Sequence, residues 1–334
     1  MAYSLSLLDK SPILDGQTAA DALQRTIALA QAAERLGYRR FWLAEHHGFP
    51  GLASSAPEIL VAHLIARTRR IRIGSGGVLL QHYSPYKVAE TFNLLAALAP
   101  DRIDLGIGKA PGGLPLSTKA LRVQHDPQRV RSFEALLAEL DGFLSGAFDA
   151  GDPLAGAQAL PRPPAPVERF LLGASPDSAR LAAERDWRFV FAGQLNGDPK
   201  AIEASLDAYA KAGAKQPPLF GLAALAAATA EEARALTEPL RVVRLTLDNG
   251  QSVNLGSEEQ AAEFARQAGA ASYTTEIRRP SILAGTAEDV RRELDALSAR
   301  LGIAEFVIDT PAAATAQRLA SITLLAGDAP ALAA

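Results

Sequence analysis

Two adjacent histidines, His46 and His47, follow the hydrophobic run Phe41–Ala44 and carry side chains suited to acid–base chemistry. An imidazole changes its charge near neutral pH, so it can remove or donate a proton. Because successive residues of an extended chain point to opposite sides, we expect at most one of the two rings to face a common site. Packing against neighbouring loops is the alternative for both. His82 and Tyr83, further along the chain, could line a substrate pocket.

Two glycine-rich segments could bring bare backbone close to a ligand. Gly74–Gly77 follows the β-rich run Ile71–Gly74, and Gly106–Gly113 follows Ile103–Ile107. Glycines at such positions let a flat cofactor or a phosphate approach the main chain closely. Lys109 would add positive charge beside that phosphate. A simple turn explains any single glycine, but two such segments on consecutive predicted strands favour a ligand site.

A third segment has the features of an anion site at the start of a helix. Ser175 fits the N-cap position, Pro176 fits the first helical position, and Ser178 adds a second hydroxyl. Free N–H groups at a helix N-terminus favour a negative ligand such as phosphate. An ordinary capped helix is the alternative. Arg129 and Arg131, which precede another predicted helix, could reach the same phosphate.

The order of predicted elements would place these segments at one end of a barrel. Runs of strand length alternate with helical patterns along the chain, which predicts a (β/α)8 barrel with its active site at the carboxyl ends of the strands. The alternative is an open doubly wound sheet, but its G-x-G-x-x-G signature is missing. With no linker visible, we expect one domain over residues 1–334. The predicted strands are Tyr3–Leu8, Phe41–Ala44, Ile71–Gly74, Ile103–Ile107, Phe170–Leu172, Arg188–Phe191, Leu219–Leu225 and Glu305–Ile308.

Cap residues predict where several helices begin. Ser55 and Glu58 are expected to form a capping box around a proline. A helix is predicted from Thr229 to about Thr246, followed by a polar loop at residues 248–256. Residues 248–280, which are polar and poor in strong patterns, are expected to form a lid over the pocket. Further cap signals occur at Thr18, Ser84, Ser257 and Thr286.

Composition narrows the classes of function. The chain has 334 residues, with 34 basic and 37 acidic side chains and a net charge of −3, which gives no electrostatic support to nucleic-acid or anionic-membrane binding. It has no cysteine, so disulfides, thiolate metal sites and a cysteine nucleophile are excluded. The five histidines show no H-E-x-x-H pattern. No signal peptide or membrane span is evident, so we expect a metal-free cytoplasmic protein.

The motifs resemble those of the bacterial luciferase-like flavin monooxygenases. The similarity covers most of the chain and implies a (β/α)8 barrel with insertion loops at the carboxyl-terminal rim. It is closer to the single-chain oxidoreductases than to the light-emitting enzymes. The matching sequence segments are FWLAEHH, IRIGSGGVLL, HYSP, VAETFNLL and RIDLGIGKAPGG, then LLGASPDSARLAAE, AGTAEDV and RLASITLLA.

The resemblance implies roles for residues around the flavin ring. His46 matches the histidine regarded as the catalytic base in the light-emitting relatives, with His47 beside it. Gly76 and Gly77 match a place where such barrels often carry a non-prolyl cis peptide under the ring. Gly108 replaces a cysteine found near the flavin in the luminous enzymes, which argues against light emission.

The resemblance also implies a phosphate site. Lys109 stands where relatives commonly have arginine, so it keeps the charge and loses the bidentate fork. Ser175 and Ser178 match phosphate-binding positions, and Arg131 is the better match for a second phosphate cation.

The implied activity is oxygenation of a small organic substrate by reduced FMN and O2, through a C4a-(hydro)peroxyflavin. An NAD(P)H:flavin reductase would supply the reduced FMN, and His46 would act as base or acid. A homodimer formed by the helices after the second and third strands is also implied. Hydride transfer with F420 and a non-catalytic flavin-binding protein are the alternatives. The phosphate features favour FMN, and the retained His46 favours catalysis.

Overall fold

The computed structural model describes residues 3–123, 131–149, 151–194, 196–311 and 314–327. Eight parallel strands form a closed barrel, in which each strand pairs with a neighbour on both sides. In chain order, all the strands of the described residues are β1 (Ser4–Asp9), β2 (Arg40–Leu43), β3 (Arg72–Ser75), β4 (Val78–Leu79), β5 (Ile103–Gly108), β6 (Glu168–Gly173), β7 (Arg188–Ala192), β8 (Leu219–Ala226), β9 (Val242–Leu247), β10 (Ser252–Leu255), β11 (Tyr273–Arg278), β12 (Ile282–Gly285) and β13 (Glu305–Asp309).

The barrel order is β1-β2-β3-β5-β6-β7-β8-β13, and pairing of β13 with β1 closes it. The predicted (β/α)8 barrel is therefore confirmed, and no predicted strand end differs from the observed one by more than two residues. The helices are α1 (Ala19–Arg35), α2 (Pro57–Arg67), α3 (Pro85–Leu98), α4 (Pro115–Leu121), α5 (Phe133–Ser145), α6 (Pro176–Glu184), α7 (Pro199–Lys211), α8 (Ala230–Thr237), α9 (Glu258–Ala268), α10 (Ala287–Leu301) and α11 (Thr315–Ala326).

One predicted capping box is wrong. The N-cap of α2 is Ala56, and no side chain caps this helix. Pro57 occupies the first helical position, where a missing N–H costs nothing, so the cap falls on the residue immediately before it and not on Ser55. The cap signals at Thr18 and Thr286 are confirmed, since each hydroxyl accepts from the backbone N–H three residues later.

The prediction of a helix reaching Thr246 is also wrong. Helix α8 ends at Thr237, and the following residues form β9. Along β9 the buried side chains Val243, Leu245 and Leu247 alternate with partly exposed ones, which is the two-residue period of a strand. The prediction of a loop over residues 248–256 is wrong in part. Only the first residues form a turn, because Ser252–Leu255 is strand β10 and pairs with β9 in an antiparallel sheet.

Strands β9, β10 and β11 with helix α9 form an insertion that we call the rim insertion. Its core contains Val243, Leu245 and Phe264, which pack with Leu114 from the segment after β5. Phe49, from the segment after β2, packs against the same cluster. The rim insertion therefore rests on loops at the carboxyl-terminal rim. Within the described ranges, no helix has the length and apolar character needed to cross a lipid bilayer.

The barrel interior is apolar in the middle and charged at its floor. Leu8, Trp42 and Phe170 are among the buried side chains that fill the middle. Below them Arg40, with no exposed surface, donates to Asp104 Oδ2 at 2.9 Å and to Glu305 Oε1 at 2.6 Å. Burial disfavours the charge of Arg40, but these carboxylates raise its pKa above the ordinary value. Floor residues lie at the amino ends of the strands, where they serve stability.

Candidate active site

His46 faces the barrel mouth. Trp42 and Ala44 point into the barrel interior, and His46 is the next member of the same alternating series beyond β2. Lys10, just after β1, and Asp309, at the end of β13, act electrostatically on its ring. His46 therefore lies at the functional end of the barrel, as the sequence predicts.

The environment of His46 keeps its ring neutral at pH 7. Burial lowers the pKa of His46 from 6.5 to about 4, and the positive charge of Lys10 acts in the same direction while Asp309 opposes it. Nδ1 of His46 is buried and has no hydrogen-bond partner among the described residues. A buried polar atom without a partner is costly, so this nitrogen is available to a bound molecule.

His47 faces the opposite side of the strand, as the alternation predicts. Its Nε2 lies 2.7 Å from Glu45 Oε1, and its ring centroid lies 6.1 Å from that of His82. His82 Nε2 in turn lies 2.9 Å from the carbonyl oxygen of Pro111. Burial lowers the pKa of His82, and Arg122 contributes to the shift. These imidazoles thus contact protein groups on the outer side of the rim.

Glu45 is one residue at the rim that the sequence-based prediction does not include. Its side chain is 0% exposed. It accepts hydrogen bonds from His47 Nε2, from Tyr83 Oη at 2.8 Å and from the backbone N–H of Leu79 at 3.0 Å. Burial and the Glu45 charge raise the pKa of Tyr83 above its ordinary range. The carboxylate therefore joins the strand that carries His46 to the segment that follows the glycine-rich turn.

The glycine-rich turn after β3 lies against the neighbouring strands. The Gly76–Gly77 peptide bond is cis, as the resemblance implies. A Cβ atom at Gly77 would lie 2.6 Å from the carbonyl oxygen of Gly106, and one at Gly76 would lie 2.7 Å from Leu8 Cδ1. Any side chain here would collide with the barrel, so bare backbone is required at this point of the rim.

Helix α6 presents its capped N-terminus at the end of β6. Ser175 is the N-cap, accepting from Ser178 N at 3.3 Å, and the two hydroxyl oxygens lie 3.2 Å apart. Pro176 occupies the first turn, as predicted. Asp177 points to solvent and pairs with Arg180 at 2.8 Å, so its carboxylate leaves the N-terminal N–H groups accessible to an anion.

The two predicted phosphate cations lie near the start of α5. Lys109 Nζ is 3.6 Å from Glu134 Oε1 and 5.7 Å from the ring centroid of Phe133, and its side chain is 62% exposed. Arg131 Nη1 lies 2.5 Å from Glu139 Oε2. Both cations therefore have an acidic neighbour with which a phosphate would compete. Arg129 lies outside the described residues.

These features occupy one continuous part of the rim. His46, Gly76, Lys109 and Ser175 follow β2, β3, β5 and β6, which are consecutive in the barrel. They present an imidazole nitrogen without a partner, bare backbone, a cation and a helix N-terminus in that order. This donor set fits a planar cofactor with a phosphorylated tail, such as FMN.

The fold is that of a (β/α)8 barrel enzyme with its candidate site at the carboxyl-terminal rim, and the comparisons with known proteins identify the family. The profile of the luciferase-like monooxygenases matches residues 1–305, and the chain belongs to this family. It is 44% identical over 328 residues to the N-acetyl-S-alkylcysteine monooxygenase of Bacillus subtilis (strain 168), covering 96% of each chain. The protein is therefore an oxygenating oxidoreductase.

Solved structures share the fold. The crystal structure of apo-MsnO8 superposes with a TM-score of 0.76 at 33% identity, covering 97% of this chain and 96% of the other. The oxygenating constituent of 3,6-diketocamphane monooxygenase from Pseudomonas putida, in complex with FMN, superposes with a TM-score of 0.69 at 17% identity and 97% coverage of both chains. At that identity the second comparison supports the fold alone.

Proposed function

We propose that this protein is a flavin-dependent monooxygenase that uses reduced FMN and O2 to oxygenate a small organic substrate. Bound reduced FMN supplies the electron pair and the ring that activates O2, so that one oxygen atom enters the substrate and the other leaves as water. The observation that carries the proposal is the neutral His46, whose buried Nδ1 lacks a partner among the described residues, one strand away from the Gly76–Gly77 turn.

The chain would hold FMN through backbone and a helix terminus. The Gly76–Gly77 turn would lie under the ring. Ser175 and Ser178 would donate hydroxyl hydrogen bonds to the phosphate, together with the free N–H groups of α6. Lys109 would neutralise part of the phosphate charge, and Arg131 would be the second cation. Because Lys109 is largely exposed, we expect its contribution to depend on salt.

His46 would exchange a proton with the reacting groups. A neutral imidazole at pH 7 can accept a proton, and the buried Nδ1 is the atom assigned to that step. The rim insertion would limit the entry of water, since it packs on Leu114 and Phe49 at the mouth of the barrel. We propose that this insertion, which includes most of residues 248–280, is the lid over the site.

We infer the substrate class from a relative that is matched over nearly the whole chain. Its name specifies N-acetyl-S-alkylcysteines, and 44% identity over 96% of both chains supports a related thioether as the substrate here. An NAD(P)H:flavin reductase is the proposed partner that supplies reduced FMN.

The homodimer is proposed through α2 and α3. Ile59 on α2 and Leu94 and Leu98 on α3 are large apolar side chains exposed to solvent. Apolar side chains grouped on neighbouring helices favour burial against a second copy. Light scattering should give twice the monomer mass, and Leu98→Glu should shift the protein towards monomer.

Cofactor titrations test the proposed function. Under anaerobic conditions, reduced FMN and reduced F420 are titrated separately into the protein, and binding is followed by fluorescence. Oxygen labelled with a heavy isotope is then admitted with N-acetyl-S-methylcysteine and a flavin reductase. We expect binding of reduced FMN and one labelled oxygen atom in the product.

Other outcomes would contradict parts of this proposal. Binding of F420 with substrate reduction or oxidation and no labelled product would support hydride transfer. Tight binding of oxidised FMN without any product would indicate a flavin-binding protein. Unchanged turnover in His46→Ala would refute the role given to His46.

A further inference from the structure

A second polar group lies at the barrel mouth, apart from the glycine turn and the α6 N-terminus. Lys10 Nζ donates to Asp309 Oδ2 in a close ion pair that joins the end of β1 to the end of β13. Both side chains point to the inside of the barrel, because Leu8 and Val307, two residues earlier on each strand, belong to the cluster that fills the interior. This ion pair lies beside His46 and influences its ring.

Lys10 remains available to a ligand although it is paired. An ammonium group has three donors, and among the described residues Asp309 is the only hydrogen-bond partner of Lys10 Nζ. The side chain of Lys10 is 35% exposed, whereas that of Asp309 is 12% exposed. The pair therefore presents its cation, and not its carboxylate, to the open mouth.

The position of Lys10 separates it from the predicted phosphate site. The barrel order β13-β1-β2-β3-β5-β6 puts Lys10 and Asp309 on one side of His46 and the glycine turn and Ser175 on the other. Lys109 does not compete for the same role. It follows β5, on the other side of His46, and its Nζ lies 3.6 Å from Glu134 Oε1 near the start of α5. A molecule that reacts beside His46 would extend away from the flavin phosphate, towards Lys10.

A polar acceptor lies further round the same wall. Gln194 follows β7, and its Oε1 is buried without a hydrogen-bond partner among the described residues. This Oε1 atom lies over the bare backbone of Gly221 in β8, since a Cβ atom added at Gly221 would be 2.9 Å from Gln194 Oε1. An amide N–H from a ligand would satisfy this acceptor. The mouth thus combines one accessible cation with one unsatisfied amide oxygen.

We propose that Lys10 binds the carboxylate of an anionic substrate, a small N-acylated amino acid, whose amide N–H is accepted by Gln194. The proposal rests on the proposed function, because it specifies the substrate class of the same site. It makes Lys10 the residue that selects an acid over its neutral analogue, and it involves no bond-breaking step.

Equilibrium binding tests the proposal independently of turnover. Calorimetry on the FMN-loaded protein compares N-acetyl-S-benzylcysteine with its neutral carboxamide. We expect the acid to bind roughly 10- to 100-fold more tightly, as for a hydrogen bond to a charged group. In Lys10→Met this preference should disappear through weaker binding of the acid, while the affinity for the carboxamide stays within about twofold. Lys10→Arg should retain the preference.

A second variant separates ligand binding from a structural role of the ion pair. Asp309→Asn breaks the same pair but frees the ammonium, so the acid should bind as tightly as in the wild type or more tightly. If Lys10→Met and Asp309→Asn weakened acid binding equally, the pair would be structural and the proposal would be wrong. Lys87→Met removes an exposed lysine of α3 and is the matched control.

The results also distinguish this proposal from the proposed function. Equal affinities of the wild type for acid and carboxamide, or no binding of either, would overturn the role of Lys10 even if reduced FMN and labelled oxygen behave as expected. Acid-selective binding without any oxygenated product would support Lys10 and contradict the monooxygenase assignment.

Discussion

Glu45 Oε1 lies 2.7 Å from Nε2 of His47, and both residues point away from the barrel interior, on the opposite side of the strand from His46. The other carboxylate oxygen accepts from the N–H of Leu79 in β4. Three segments are thereby fixed to one another: the strand of His46, the stretch after the cis Gly76–Gly77 bond and the start of α3 through Tyr83. Glu45 therefore positions the Gly76–Gly77 turn, which is proposed to lie under the flavin ring, although its own side chain points away from the barrel interior.

We predict that Glu45→Gln destabilises the fold and weakens binding of reduced FMN. A glutamine amide places an N–H₂ group against donors that need an acceptor, so at least one buried hydrogen bond is lost, at about 1–3 kcal/mol. Urea unfolding measures the stability, and an anaerobic titration measures the affinity. Glu203→Gln, which removes an exposed carboxylate paired with Arg300, should change neither by more than about 0.5 kcal/mol. Equal behaviour of the two variants would show that Glu45 is dispensable.

We predict that His46 makes the fold less stable in acid. Its pKa is 6.5 in the unfolded chain and about 4 in the folded protein, so the unfolded state binds more protons between these values. Above pH 6.5 the ring is neutral in both states and costs the fold nothing. As the pH falls from 6.5 towards about 4, the free energy of unfolding decreases. The shift corresponds to roughly 3 kcal/mol.

Many carboxylates also titrate in this range, so the contribution of His46 is taken as the difference in unfolding free energy between the wild type and a His46 variant. The free energy of unfolding is measured from pH 7 down to about pH 4 for the wild type and for His46→Gln, and over this range the wild type should lose roughly 3 kcal/mol more than the variant. Parallel curves would mean that the imidazole is more accessible to water than the structure indicates.

The sequence predicts the barrel well because its strands are buried on both faces. Such strands are short continuous apolar runs between turn signals, as in Phe41–Ala44, and need no knowledge of distant residues. The prediction of a helix reaching Thr246 is wrong because β9 follows a good helix start at Thr229, and alternation over one short strand is a weak signal.

The site was predicted only in part, for a related reason. His46, the glycine turn and Ser175 have local signatures at strand ends or at a helix start. Glu45 has none, because its partners Leu79 and Tyr83 are 34 and 38 residues away. The pair of Lys10 and Asp309 spans 299 residues, so only closure of the barrel brings these two side chains together.

We predict that Ser175→Ala reduces the preference of the protein for FMN over riboflavin. The variant loses the N-cap of α6, which costs about 1 kcal/mol of stability, and it loses a hydroxyl that would bind the phosphate. Thr229→Ala removes the equivalent cap of α8, where Glu232 N donates to Thr229 Oγ1 at 3.1 Å. It should cost similar stability and leave the FMN-to-riboflavin ratio unchanged. A ratio that stays unchanged in Ser175→Ala would place the phosphate elsewhere, and an equal fall in both variants would assign the effect to loss of a helix cap.

We predict that Arg40→Met strongly destabilises the fold but leaves the affinity for reduced FMN unchanged. The variant removes the fully buried cation shared by Asp104 and Glu305, while Arg72 still pairs with Asp104 at 2.7 Å. Breaking a buried ion pair costs about 3–5 kcal/mol, so we expect a loss of up to that size. Arg300→Met, which removes an exposed arginine, is the control and should be nearly neutral. Urea unfolding measures the loss, and the affinity is measured well below the denaturation midpoint. Because the floor lies at the amino ends of the strands, a loss of FMN affinity in the folded variant would show that the two ends of the barrel are coupled.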